Sequence, residues 1–96
     1  MQILRQEKQS DGLTYVCAMP EDVCSQMIEV WVRDGRVERI QFTGGCHGNT
    51  QGVSRLAEGR TVDEVIELIK GIDCGGRGTS CPDQLAQTLE AVAALS

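Results

Sequence analysis

Aromatic residues are scarce: Tyr15, Trp31 and Phe42 are the only three in 96 residues. A core built from this chain must rest on Val, Ile, Leu and Ala. Small domains bury proportionally less of their surface, so a bound metal could help hold such a core together. Positive charge is also short, with 9 Lys and Arg against 14 Asp and Glu and a formal net charge of −5. No basic patch is visible, which argues against nucleic acid as a main partner. No apolar run reaches the length of a membrane span. The opening Met-Gln-Ile-Leu-Arg-Gln-Glu-Lys has no signal-peptide hydrophobic region. The expectation is one small domain, not membrane-bound and cytoplasmic, where thiols stay reduced. The single histidine, His47, leaves no convincing Ser-His-acid set.

Cysteine, by contrast, is plentiful. There are five, an odd number that fits a disulfide framework poorly. Clustered cysteines in a reduced compartment more often serve metal binding or catalysis. Cys17 sits in a strand-like segment and reads as a small buried hydrophobe. Cys24, Cys46, Cys74 and Cys81 lie in or beside turn-like sequence and are the expected metal ligands. Cys46 follows Gly44-Gly45 at one apparent helix start, and Cys81 stands in the first turn of another. A helix N-terminus favours the thiolate, the form that binds zinc or iron and attacks electrophiles. Cys74 and Cys81 are joined by Gly75-Gly76-Arg77-Gly78-Thr79-Ser80. The glycines there let backbone amides approach a bound object.

Structural zinc sites usually carry two cysteines two to four residues apart. None do so here, so a metal site has to be assembled by the fold. His47, beside Cys46, is either a further ligand or a solvated turn residue. Arg77 is either an anion partner or solvated. The glycine loop resembles a phosphate nest but lacks the lysine and spacing of a Walker A loop.

The periodicity predicts strands before helices, hence an α+β fold with three antiparallel strands and helices on one face. Residues 1–12 are polar and expected to be loosely held, with the domain spanning 13–96. Leu13 to Cys17 reads as one strand. Ile28, Val30 and Val32 alternate with polar or larger neighbours in a second, and Arg36 to Phe42 forms a third. Asp34-Gly35 marks a hairpin. A two-residue loop would set Val30 against Arg39, so burial favours an odd-length loop, a type I turn with a bulge at Gly35. That register places Glu38, Ile40 and Phe42 on one face. Val53, Leu56 and Ala57 form the stripe of a first helix. Thr61-Val62-Asp63-Glu64 is a capping box, opening a helix that buries Val62, Val65, Ile66 and Ile69. Ser80 caps the last helix, which buries Leu85, Leu89 and Val92.

The run Thr79-Ser80-Cys81-Pro82-Asp83 spells the name of the TSCPD domain. With Cys24, Thr43 to Asn49 and Gly71 to Gly78, the chain resembles the small stand-alone, four-cysteine members of that family over residues 13–95. The resemblance implies that Cys24, Cys46, Cys74 and Cys81 are the motif cysteines and that Cys17 lies outside them. A related region ends the vitamin B12-dependent ribonucleotide reductases, and a regulatory role has been suggested for the family. A ribonucleoside-diphosphate reductase activity is not expected of this chain: 96 residues cannot hold the catalytic barrel. A more distant similarity is to NifU/IscU-type iron–sulfur scaffolds. It implies a scaffold-like fold with Cys24, Cys46 and Cys81 matching the scaffold cysteines. Gln26 stands where those scaffolds carry an acid implicated in cluster lability, and Cys74 has no counterpart there.

The leading expectation is a non-enzymatic, regulatory or accessory domain whose four cysteines bind zinc or an iron–sulfur cluster. A reductase or an iron–sulfur client would be its protein partner. Its rival is a thiol-redox accessory of ribonucleotide reductase chemistry, cycling Cys74 and Cys81 between dithiol and disulfide. A third reading is an interaction module with Trp31 exposed on the outer sheet face.

Overall fold

The structure is a computed structural model that describes residues 2–9, 11–20, 25–44, 47–73, 76 and 78–94, with the backbone alone for 47–49. Its elements run β1 (Gln2–Lys8), β2 (Leu13–Met19), β3 (Ser25–Arg33), β4 (Arg36–Gly44), α1 (His47–Ala57), α2 (Val62–Ile69) and α3 (Cys81–Ala94). Strands precede helices, as the α+β expectation requires. The sheet is an antiparallel meander in the order β1-β2-β3-β4. It therefore has four strands where three were expected, and the added strand comes from the segment expected to be loosely held. Its polar composition hid it. As an edge strand it sends only Ile3 toward the core, so it lacks the apolar alternation that marks a half-buried strand.

The sheet has one dry face. Val16 of β2 and Ile28, Val30 and Val32 of β3 pack with Val37 and Ile40 of β4. Ala57, Val62, Val65, Leu85, Leu89 and Val92 complete the cluster from the helices. Five of these, Val16, Ile28, Val30, Leu85 and Leu89, have no exposed surface. Leu56, expected on the buried stripe of α1, is 71% exposed. That stripe is narrower than the sequence suggested because α1 packs chiefly on β4.

The hairpin corrects the expected turn. Asp34 and Gly35 both have positive φ, 53° and 77°, and Arg33 pairs with Arg36 across them. This is the two-residue, type I′-like turn that Asp-Gly favours, not a type I turn with a bulge at Gly35. The register that burial demanded is nevertheless present. Val30 faces Ile40 and Ile28 faces Phe42. The odd residue lies in the strand, because the register shifts between Trp31 and Val32 and leaves Glu38 unpaired on β4. Val37 and Ile40, three apart, thus share the inner face. Glu38 is exposed rather than inward, and accepts from Arg33 Nε at 3.1 Å.

The outer face carries Tyr15 beside Trp31, ring centroids 5.1 Å apart. The Arg39 guanidinium lies 5.1 Å over the Trp31 ring. Trp31 is half-buried by these neighbours rather than freely exposed. Tyr15 Oη donates to Glu29 Oε2 at 2.5 Å. Burial, that bond and the neighbouring Cys17 hold its phenol well above the usual range. No helix among the described residues is long and apolar enough to cross a membrane.

Candidate metal centre at the head of α3

Cys81 is the first residue of α3 and is 5% exposed. Ser80 caps the helix: its Oγ accepts from the Asp83 amide at 3.1 Å, and its carbonyl accepts from the Gln84 amide at 2.8 Å. Pro82 occupies the first turn, where its missing N–H costs nothing. The sequence therefore sets Cys81 at the positive end of the helix dipole.

The partner of Cys81 comes from the far end of the sheet. Ser25 Oγ lies 2.8 Å from Cys81 Sγ, with both residues buried. Ser25 opens β3 and pairs with Gly44, the last residue of β4. The register slips between Ser25 and Met27, leaving Gln26 as an unpaired, exposed residue. That slip puts Ser25 on the inner face with Ile28, three residues along. Without it, strict alternation would aim Ser25 at the outer face, away from α3.

A second set of bonds organises the segment before α3. The Asp83 carboxylate accepts from the Gly71 amide at 2.6 Å, from Thr79 Oγ1 at 2.6 Å and from Gln87 Nε2 at 3.1 Å. Gln84 Nε2 donates to Thr79 Oγ1 at 2.9 Å. Asp83 thus ties both ends of the segment from Gly71 to Thr79 to the first turn of α3. Burial pushes its carboxyl up, but those donors and Lys70 outweigh burial and hold it below the ordinary value of 3.8. Within the segment, the Asp73 carboxylate accepts from the Gly76 amide at 2.8 Å and also from the Gly78 amide. Positive φ at Gly76 and Gly78, 79° and 80°, allows that tight path.

Cys81 is the one expected ligand among the described residues. Cys24, Cys46 and Cys74 lie outside them, as do Arg77 and the side chain of His47. No group of three or more His, Cys, Asp or Glu that could hold a metal occurs among the described residues. A metal centre at Cys81 therefore depends on the other three cysteines. Cys17 lies at 7% exposure between Val16 and Ala18, which face the core, and opposite Glu29. Strand alternation puts it on the other side of the sheet from Cys81.

Sequence reasoning passed over Ser25, Asp73 and Asp83. Ser25 carries no local signal, because its orientation depends on the slip at Gln26. Asp83 had one: an acid three residues after an N-cap serine, in the favoured first turn. No curated protein and no solved structure matches the chain. The profile of the TSCPD domain matches residues 5–93, which takes in most of β1, the remaining strands and all three helices. The chain belongs to the TSCPD domain family.

Proposed function

We propose that Cys24, Cys46, Cys74 and Cys81 together hold zinc or an iron–sulfur cluster, and that the chain is a regulatory or accessory domain rather than an enzyme. The observation that carries this reading is the 2.8 Å contact between Ser25 Oγ and Cys81 Sγ. Ser25 follows Cys24 directly, and its strand partner Gly44 stands two residues before Cys46. The described neighbours of two further cysteines in sequence, Ser25 and Gly44, are thus at the Cys81 end of the sheet, which supports the reading. Asp83 bonds Gly71 and Thr79, which flank Cys74 in sequence, and this supports including Cys74 in the reading.

The donor set fits the cargo. Four thiolates suit tetrahedral zinc or an iron–sulfur cluster and suit hard cations poorly. Zinc would supply a cross-link between sheet and helices; a cluster would supply one-electron chemistry. Ser25 would hydrogen-bond a ligand sulfur, and such outer contacts orient ligands and tune the bound metal. The strand hairpin and the cysteine-headed last helix also support an iron–sulfur-scaffold-like arrangement. A reductase or an iron–sulfur client is the partner class this reading implies.

Anaerobic purification with iron, zinc and acid-labile sulfide measured per chain tests it. One zinc, or iron with sulfide and visible absorbance, is expected. Ser substitution at Cys24, Cys46, Cys74 or Cys81 should lower the content, and Cys17→Ser should not. Metal-free protein whose four thiols titrate freely would sink the proposal and favour Cys74–Cys81 redox cycling.

A further inference from the structure

The two edges of the sheet are unlike. The β4 edge is closed by the segment after α1. The Val37 amide donates to Arg60 O at 2.9 Å and the Gly59 amide to Val37 O at 2.8 Å. The Ile40 amide donates to Glu58 Oε2 at 3.3 Å, and Arg36 bridges to Thr61. At the opposite edge β1 pairs only with β2 among the described strands. All of its residues except Ile3 are exposed. Its irregularity at Leu4 leaves Arg5 to Lys8 in regular register with Cys17 to Thr14. An open edge is a template for another strand.

We propose that β1 pairs antiparallel with β1 of a second copy of this chain, about a two-fold axis at Gln6, to make one continuous eight-stranded sheet. Symmetry and charge select this register. A two-fold axis perpendicular to the sheet keeps each face on its own side, so residues directly opposite must share a face. Within the regular stretch, the axis can then pass only beside a residue that meets its own copy. Centred on Arg5, the pairing sets Arg5 against the partner's Arg5. Centred on Glu7 it sets two glutamates together, and centred on Lys8 two lysines. Like charges directly opposite are destabilising. Centred on Gln6, Arg5 meets the partner's Glu7 and Glu7 meets the partner's Arg5, while the two Gln6 amides face each other. Arg5 and Glu7 share the outer face, opposite Cys17 and Tyr15 of β2, and already interact at 3.3 Å within one strand. Charges on an edge discourage indiscriminate pairing; here their spacing leaves one register open.

Sedimentation velocity on the full chain from about 1 µM to about 1 mM tests this. A concentration-dependent dimer is expected. Arg5→Glu alone and Glu7→Arg alone should each raise Kd by about tenfold or more, because the two-fold axis counts each change twice. The double variant Arg5→Glu/Glu7→Arg restores opposite charges in this register and should return Kd to within about threefold of wild type. Both side chains are well exposed, so far-UV circular dichroism should be unchanged in all three. A monomer at every concentration overturns the proposal. So does a dimer indifferent to the single reversals, one the double variant does not rescue, or one that a metal chelator dissociates.

Discussion

At the scale of single residues, Asp83 does more than its place in a motif suggests. Its carboxylate takes three donors from three parts of the chain. Asp83→Ala should cost about 2 kcal/mol, read from denaturant unfolding, since it removes the acceptor of the buried Thr79 hydroxyl and of two part-buried donors. Its lowered pKa has a defined sign. Because the folded form binds its proton less readily than the unfolded chain, this stabilisation is full above the ordinary value of 3.8. It drains away as pH falls through the lower folded value. Asp83→Asn should flatten that acid limb of the stability–pH curve; an unchanged limb would show that other carboxylates set it. Ser25 works differently. Ser25→Ala leaves the Cys81 sulfur without its hydroxyl partner, and affinity for the proposed metal should fall roughly tenfold with the fold intact. Competition with a chromogenic chelator measures this.

At the scale of elements, the β3–β4 hairpin reconciles two demands that conflict on paper. The Asp34-Gly35 turn demands a two-residue loop, and burial of Val30 against Ile40 demands one extra residue. Glu38 is that residue, and it sits in the strand. Deleting Glu38 should therefore leave a regular ladder with the same core pairs, and the chain should stay folded with a loss of about 1–2 kcal/mol. Deleting Gly35 instead removes half of the turn and shifts every later β4 residue by one, which should unfold the sheet. Thermal melts of the two deletions separate these outcomes. The capping box of α2 has both of its bonds, Glu64 amide to Thr61 Oγ1 and Thr61 amide to Glu64 Oε1, each at 3.2 Å. Thr61→Ala should cost about 1 kcal/mol by the same melts.

At the scale of the whole molecule, the central apolar cluster and the proposed metal centre draw on different residues. The central cluster contains no cysteine, and Cys81 stands at the head of α3, outside that cluster. Chelation should therefore lower Tm while leaving most far-UV circular dichroism in place, unlike a zinc finger that unfolds without its metal. Complete loss of secondary structure on chelation would show instead that the core cannot hold alone. Leu89→Ala attacks the other end of this division. It empties a fully buried position in the core and should cost about 2–5 kcal/mol with metal content per folded chain unchanged.

The sequence by itself determined what nearest neighbours along the chain decide: the strands β2 and β3, the capped helices, the cysteine at the head of α3 and the family. These follow from side-chain periodicity and from caps completed within a few residues. Only the tertiary structure decided the rest. β1 became a strand because β2 offered an edge, not because its own pattern is amphipathic. The slips at Gln26 and Glu38 depend on what lies across the sheet, and a one-residue slip reverses every facing beyond it. The contact of Ser25 with Cys81 spans 56 positions of sequence and exists because one such slip turns a serine inward to meet a helix that forms much later in the chain.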